Sequence, residues 1–299
     1  MRNISGAPYG YRVAVLGAGR VGRTLGYLLG QGRYSITAVL ARTLPHARQA
    51  ARFIGKGIPL DDVAALAHVE WDILLIATPD HALAPISHVL AGTRILWPAK
   101  SVVHCSGYHS SRVLAPLAGR GAAVASMHPL QTFARPREAI HQVRGSYFAI
   151  EGSGRGVRTA RQMVRELGGK AIVIAPKNKA LYHCAASMAC GHVGGLIGLA
   201  VSLLGHIGIH ESKAKALLHP LIAGTIHNLI RMPLAASITG PISRGDSETV
   251  RGHLSALSHV DAAATSVYKQ IGLEILKRIE DGRLSAGEAR ALRRLLRAD

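Results

Sequence analysis

Residues 12–29, Arg-Val-Ala-Val-Leu-Gly-Ala-Gly-Arg-Val-Gly-Arg-Thr-Leu-Gly-Tyr-Leu-Leu, constrain the fold more than any other stretch of the chain. A short apolar run (Val13, Val15, Leu16) meets a G-x-G-x-x-G turn, and Leu25, Leu28 and Leu29 follow at helical spacing. Strand, turn and helix in this order form the unit that holds a dinucleotide. The glycines differ in what they do. Gly17 permits the tight turn, Gly19 lets backbone approach a pyrophosphate, and Gly22 lets helix and strand pack closely. Ala18, Arg20 and Val21 complete the turn, and the free backbone N–H groups of Arg20 and Val21 at the helix N-terminus favour a phosphate. A glycine-rich turn that binds nothing is the plainer alternative.

The second strand bears on which dinucleotide. Ile36–Ala41 runs directly into Arg42 and Thr43, where an acidic residue would grip a ribose 2′-hydroxyl. No carboxylate stands there. Arg42, with Thr43 and Arg48, suits a 2′-phosphate instead, which points to NADP over NAD. Against this stands the reading of Arg42 as an ordinary solvated arginine.

Strand and helix alternate through the first half. Trp71–Ala77 is an apolar strand that ends in Thr78-Pro79-Asp80, and Ser101–Cys105 is another that ends at Ser106-Gly107. Ala122–Met127 runs into His128-Pro129, and strands at Ser146–Ile150 and Lys170–Ala175 flank a helix over Val157–Leu167. This order predicts a Rossmann-type, mainly parallel sheet, with ligands beyond the carboxyl ends of its strands, where Thr78, Pro79, Ser106 and His128 all lie. After Pro176 the pattern is helical alone, through to an amphipathic segment at Ser285–Leu296 with Ser285 as N-cap. The expected division is a nucleotide-binding α/β domain over 1–176 and an all-α domain over 177–299.

Two domains suit 299 residues of which 48% are hydrophobic. Cys105, Cys184 and Cys190 lack C-x-x-C spacing, so reduced thiols in the cytoplasm are expected. Met1–Tyr11 lacks the apolar core of a signal peptide and reads as a disordered lead-in. A net charge of +19 raises the question of nucleic acid, yet the basic residues are dispersed along the sequence, aromatics make up 4%, and no nucleic-acid-binding motif is present. The charge is read as a field that attracts anionic cofactors and carboxylate substrates. Leu181–Ile209 contains no Asp, Glu, Lys or Arg, and its glycines stand in G-x-x-x-G spacing. It is expected to be a helix buried within a helical domain or a dimer rather than a membrane span, because His183, His192 and His206 interrupt it and no aromatic belt flanks it.

Several motifs together carry a resemblance: Gly17-Ala-Gly-Arg-Val-Gly22, Ala77-Thr-Pro-Asp80, His104-Cys-Ser-Gly107, Met127-His-Pro-Leu-Gln-Thr-Phe133, Tyr182-His183, and Gly240-Pro-Ile-Ser-Arg-Gly-Asp246 followed by His253-Leu254. The chain resembles uncharacterised Rossmann-like oxidoreductases with a C-terminal helical domain of unknown function. These are relatives of ketopantoate reductase, pyrroline-5-carboxylate reductase and 6-phosphogluconate dehydrogenase. The resemblance implies NADP-linked hydride transfer and a homodimer joined through the helical domains.

Candidate acid and base groups gather at the start of the helical region. Lys179 and His183 are four apart, hence on one helix face, with Ser187 one turn further as a substrate contact. Hydride transfer at a carbonyl or imine carbon needs a group that handles a proton at the adjacent oxygen or nitrogen, and this pair supplies two. It is similar to the Lys-x-x-x-Asn pair of hydroxyacid dehydrogenases, with His in place of Asn. The bland reading makes Lys179 a helix-end residue and His183 a hydrogen-bonded core histidine. His128 is the rival proton carrier, in a His-Pro pair that resembles a motif of prephenate dehydrogenases. Arg244 offers a fork for a substrate carboxylate, with Asp246 and His253 beside it in sequence, unless Asp246 serves as the N-cap of the following helix. No metal is expected, since His183, Cys184, Cys190 and His192 have no ligand spacing. The leading expectation is therefore an NADP-dependent oxidoreductase acting on a small, carboxylate-bearing ketone or imine, with ketopantoate one candidate. A non-catalytic NADP-binding sensor is the alternative.

Overall fold

A computed structural model describes residues 10–298, so most of the expected N-terminal lead-in, residues 1–9, lies outside the described residues. The chain divides into two compact units between Cys190 and Gly191. Eight strands belong to the first: β1 (Arg12–Leu16), β2 (Ser35–Leu40), β3 (Ile58–Leu60), β4 (Ile73–Ile76), β5 (Ser101–His104), β6 (Ala123–Pro129), β7 (Tyr147–Gly152) and β8 (Lys170–Val173). They form one sheet in the order β3-β2-β1-β4-β5-β6-β7-β8. Every pairing is parallel except that of β6 with β7. Strand order reverses between β1 and β4, which opens the crevice at their carboxyl ends where doubly wound sheets bind ligands.

The helices of this unit are α1 (Arg20–Gln31), α2 (Leu44–Ile54), α3 (Asp80–Ala91), α4 (Ala115–Gly119), α5 (Pro136–Val143), α6 (Gly154–Glu166) and α7 (Lys179–Ser187). Leu25, Leu29, Ile54, Val143, Met163 and Val164 from α1, α2, α5 and α6 pack on one face of the sheet. Leu83 and Leu90 of α3, Leu117 of α4, and the edge-to-face pair Trp71 and Trp97 cover the other. Buried on both sides, β4 and β5 have no exposed position, which is why they read as unbroken apolar runs.

The turn from β1 into α1 is fixed by sterics. Gly17 adopts φ +120°, and a Cβ built there would lie 2.5 Å from the Ala77 carbonyl oxygen; one on Gly22 would lie 2.0 Å from the Gly17 oxygen. Gly19 has no neighbour within 4 Å of its Cβ position and an ordinary φ of −72°. Two of the three glycines thus serve the fold, and Gly19 keeps a space open.

In the second unit, α8 (Val193–His206) pairs with α9 (Glu211–Arg231), followed by α10 (Leu234–Ser237), α11 (Ser247–Ser258), α12 (Ala262–Arg283) and α13 (Ala286–Arg297). Its core joins Ile242, Val250, Leu276, Ile279, Leu292 and Leu296. Ser285 caps α13 as expected, in a capping box with Glu288.

The expectation for the uncharged run at Leu181–Ile209 needs correcting in one respect. It is not a helix buried inside the helical domain: α7 ends at Ser187, a π-helical turn occupies Met188–His192, and α8 has no buried residue. The physical reason is that the core of the second unit is drawn from α11, α12, α13 and the Ile242 turn, which leaves α8 with α9 as its packing neighbour. The continuous helical span Pro176–His206 contains an 18-residue window of mean hydropathy 1.7 and is long and apolar enough to cross a bilayer by length and composition.

Gly17→Ala and Gly19→Ala should separate fold from function. The protein's two tryptophans, Trp71 and Trp97, are both in the core of the sheet unit, so urea unfolding followed by tryptophan fluorescence reports on that unit. Gly17→Ala is expected to destabilise it by more than about 1 kcal/mol, through positive φ and backbone collision. Gly19→Ala should change it by less than about 1 kcal/mol.

Candidate functional site

A cavity of about 730 Å³ opens at the carboxyl ends of β1, β2 and β4. Gly17, Ala18, Gly19, Arg42, Thr78 and Pro79, all singled out from the sequence, line it together. The N-terminus of α1 faces no competing group: Gly19 is the N-cap, no side chain caps it, and the first turn carries no acid. Those N–H groups and the helix dipole are available to an anion. At the far wall Arg42 is exposed beyond β2, and the Thr43 hydroxyl is 3.0 Å from Nδ1 of His46. Arg48 is exposed on α2 and is not part of the wall. Arg23, His46 and Asp61 also line the cavity and were not legible in the sequence, because nothing local marks their side chains as facing it. Arg23 Nε and Thr78 Oγ1 are buried without a hydrogen-bond partner among the described residues, an arrangement that suits a polar ligand able to supply one. The residues present fit a dinucleotide: open space over Gly19, an uncapped helix, and a cation at the end of β2.

A second cluster lies along the same sheet edge, beyond β5 and β6. Lys179, the first residue of α7, is only 2% exposed. Its ammonium donates to the Ser106 carbonyl oxygen at 2.6 Å and to Ser126 Oγ at 2.7 Å. Ser126 stands between His104 and Glu151 in the sheet register, so these three polar residues form a buried row. Glu151 accepts from the Ser111 backbone N–H at 2.6 Å and the Ser111 hydroxyl at 2.8 Å, which anchors the loop after β5. Ser106 Oγ accepts from the N–H groups of Tyr108 and His109. Ser106, expected from the sequence to be a cofactor contact, is not among the residues lining the first cavity; its hydroxyl shapes its own loop and its carbonyl holds Lys179.

The rival proton carriers turn out to be neighbours. His128 Nδ1 is 2.8 Å from the Tyr182 hydroxyl, and its ring meets those of Tyr182 and His183 edge to face, with centroids 5.6 and 5.7 Å away. Gly107 is pressed against the pair: a Cβ there would lie 2.4 Å from His183 Cδ2 and 2.8 Å from His128 Nε2. Lys179, His183 and His128 are thus brought together, although about fifty residues separate His128 from α7. Ser187 sits at the last position of α7 and is half-buried. Ser126 and Glu151 were missed, since a polar residue within an apolar strand carries no signal until the strands are paired, while Gly107 and Tyr182 were seen only as parts of motifs and given no role.

Burial tunes these groups. Desolvation pulls the Lys179 ammonium down to about 8, partly offset by the negative charges of Glu151 and Asp80. His128 falls to about 3 through desolvation, reinforced by Lys179 and His183, so its ring is uncharged at neutral pH. His104 is likewise pushed down to about 3 by burial and then by Lys179. Burial raises the Tyr182 phenol and the Cys105 thiol to about 12 each, which leaves Cys105 inert. At about 8, Lys179 can exchange a proton near neutrality.

The third group lies in the second unit. Asp246 caps α11, accepting from the Thr249 N–H at 3.0 Å and its hydroxyl at 2.7 Å. Those bonds and the nearby Arg244 and His253 hold its carboxyl below the usual range. Arg244 is exposed on a 3₁₀ turn, with no ion pair to Asp246 among the described residues. His253 Nδ1 meets the Tyr268 hydroxyl at 2.9 Å. The helix-start arrangement accounts for Asp246, while the guanidinium of Arg244 stays exposed.

Comparison with known proteins follows this division. A Rossmann-like domain family matches residues 5–129, and the domain-of-unknown-function family DUF2520 matches residues 146–275. The chain joins a Rossmann-like domain to a DUF2520 domain. The DUF2520 match begins before β7, so Lys179, Tyr182 and His183 fall within it, while Ser106, Ser126 and His128 fall within the Rossmann-like match. Both families contribute to the buried cluster. Among solved structures, a Thermotoga maritima protein is 25% identical, covers 91% of this chain and 100% of its own, and aligns with a TM-score of 0.70. A Bacteroides fragilis protein described as an NADP oxidoreductase is 21% identical, with 89% and 97% coverage and a TM-score of 0.72. An imine reductase from a Pseudomonas species is 16% identical, with 96% and 99% coverage and a TM-score of 0.61. No curated protein matches the sequence.

The Lys179 environment makes stability depend on pH. Its folded pKa of about 8 lies below the unfolded value near 10.5, so between these pH values the unfolded state binds more protons and stability rises with pH. The stability difference between the parent and Lys179→Met, read by urea unfolding, should shift in favour of the parent from pH 8 to 10. A pH-independent difference would contradict the burial-depressed ammonium.

Proposed function

We propose that this protein is an NADP-dependent oxidoreductase that transfers a hydride between NADP(H) and a small polar substrate bearing a carboxylate and a ketone or imine. The observation that carries the reading is one sheet edge with two adjoining parts: a cavity with an uncapped helix N-terminus and an open Gly19, and a buried lysine with a near-neutral pKa beside uncharged imidazoles. The fold shared with the Bacteroides protein and the imine reductase supports it.

When bound, the nicotinamide supplies or accepts the hydride. Gly19 to Val21 would hold the pyrophosphate on backbone N–H groups, and Arg42 would pair with the adenosine 2′-phosphate. Lys179 Nζ keeps two of its N–H bonds on Ser106 and Ser126 and gives or takes a proton through the third. The anchored loop after β5 keeps that donor in place and excludes water from one side.

NADPH should bind more tightly than NADH by at least about tenfold, roughly 1.4 kcal/mol, in calorimetric titration. Arg42→Ala should remove most of that difference, and Gly19→Ala should lose NADPH binding while staying folded. Equal affinities in the parent would remove the NADP assignment.

Substrate is sought by NADPH oxidation against a panel of keto acids and cyclic imines that includes ketopantoate. On any member that turns over, Lys179→Met should lower kcat by about 10² to 10⁴-fold with NADPH affinity nearly unchanged. A full-rate Lys179→Met variant would move the proton elsewhere, and tight NADPH binding without turnover would favour a non-catalytic sensor.

Assembly belongs to the same proposal. The exposed apolar side chains of Val193 and Leu196 on α8 and of Leu217, Leu221 and Ile226 on α9 are assigned to contact with a second copy. Light scattering without detergent should give the mass of a homodimer, and a dispersed monomer, or a protein recovered only in detergent, would contradict it.

A further inference from the structure

Sequence alone leaves His128 as a rival to Lys179, but the geometry gives the two different roles. The Tyr182 hydroxyl is 2.8 Å from His128 Nδ1. Of the two groups the phenol is the stronger acid, so it donates and Nδ1 accepts. A neutral imidazole whose Nδ1 is an acceptor carries its proton on Nε2. That nitrogen lies on the Gly107 side of the ring, where a Cβ would come within 2.8 Å of it. Because residue 107 is glycine, no side chain from the loop after β5 stands against the Nε2–H on that side.

We propose that Tyr182 is a positioning residue that fixes His128 as the Nε2–H tautomer, making His128 an uncharged hydrogen-bond donor to the substrate's carbonyl oxygen. The assignment of a substrate rests on the function proposed above; the tautomer does not. As a hydride reaches the carbonyl carbon, the π electrons of the C=O bond move to oxygen. The His128 Nε2–H meets that growing charge without giving up its proton. Lys179 Nζ delivers the proton that completes the alcohol and is left as the amine. Preorganised neutral donors are effective in this role because they need no reorganisation as charge develops.

The charged and titratable neighbours agree with a ring that stays neutral. Lys179 and His183 face His128 from α7 and His104 lies behind it on β5; the positive charge of Lys179 and the burial of the ring both oppose protonation. Tyr182 presents a phenol whose own ionisation is displaced upward. No carboxylate is in hydrogen-bond contact with the His128 ring among the described residues.

The test is nitrogen NMR of the full-length protein labelled with 15N-histidine, with long-range 15N–1H correlations recorded from about pH 5 to 8, across the range where an ordinary histidine titrates. The parent should show His128 with an unprotonated, hydrogen-bonded Nδ1 and a protonated Nε2, unchanged over this range. Tyr182→Phe keeps the aromatic ring and removes the donor; its His128 should move toward the Nδ1–H form or a mixture. On a panel ketone that turns over, the same variant should lower kcat about tenfold with NADPH affinity unchanged. An Nδ1–H or doubly protonated His128 in the parent overturns the proposal even if the variant does not fold. So does a Tyr182→Phe variant with the parent's tautomer or kcat. NADPH titration of the same samples keeps the two questions apart, since loss of NADPH binding with the tautomer intact would remove the proposed function and leave the Tyr182 assignment standing.

Discussion

Lys179 ties the sheet unit to its last helix. The ammonium reaches the Ser106 carbonyl after β5 and the Ser126 hydroxyl within β6, so a single side chain joins α7 to two strand ends. Burying a cation this deeply is unfavourable unless its hydrogen bonds are satisfied, and two of its three donors are. Much of the site follows from this one contact. It sets where α7 begins, and so places His183 one turn further on and Tyr182 beside His128. It also explains why the compact sheet unit runs past Pro176 to Cys190 instead of stopping where the strands do.

The electrostatics of the cluster follow from the same burial. Desolvation lowers both His128 and Lys179, but from different starting points, so the first is uncharged at neutral pH and the second titrates near neutrality. The two neighbouring groups are separated in this way with no carboxylate in hydrogen-bond contact with the His128 ring among the described residues. The arrangement carries a stability penalty, as buried ionisable groups at functional sites commonly do. Glu151, the nearby buried carboxylate, is already engaged by Ser111, which fixes the loop rather than competing for substrate.

What the sequence reveals here is whatever is encoded locally. The strand, turn and helix of residues 12–29, the apolar strands β4 and β5, and the cap at Ser285 are each set by neighbours in the chain, and each was legible. Gly17 and Gly22 were read for the turn and the packing that the structure assigns them. The three residues of β3 were too short a run to register, and its aspartate neighbour in the cavity wall went with it. The convergence of His128 with Lys179 and His183 depends on how β5 and β6 pair and on where α7 lands, so the sequence could only offer them as alternatives. The uncharged segment beyond Leu181 shows the opposite limit: composition announces that it needs burial but does not say which surface provides it.

The most direct measurement of the central claim is a crystal structure of the NADPH complex. The expected result is a pyrophosphate on the backbone N–H groups at Gly19 to Val21, and a nicotinamide ring turned toward Lys179 and His128 with room between for one small molecule in near-attack contact, about 3–3.5 Å from each side. A nicotinamide held away from the Ser106–Gly107 loop, or a pyrophosphate bound anywhere but the α1 N-terminus, would contradict it.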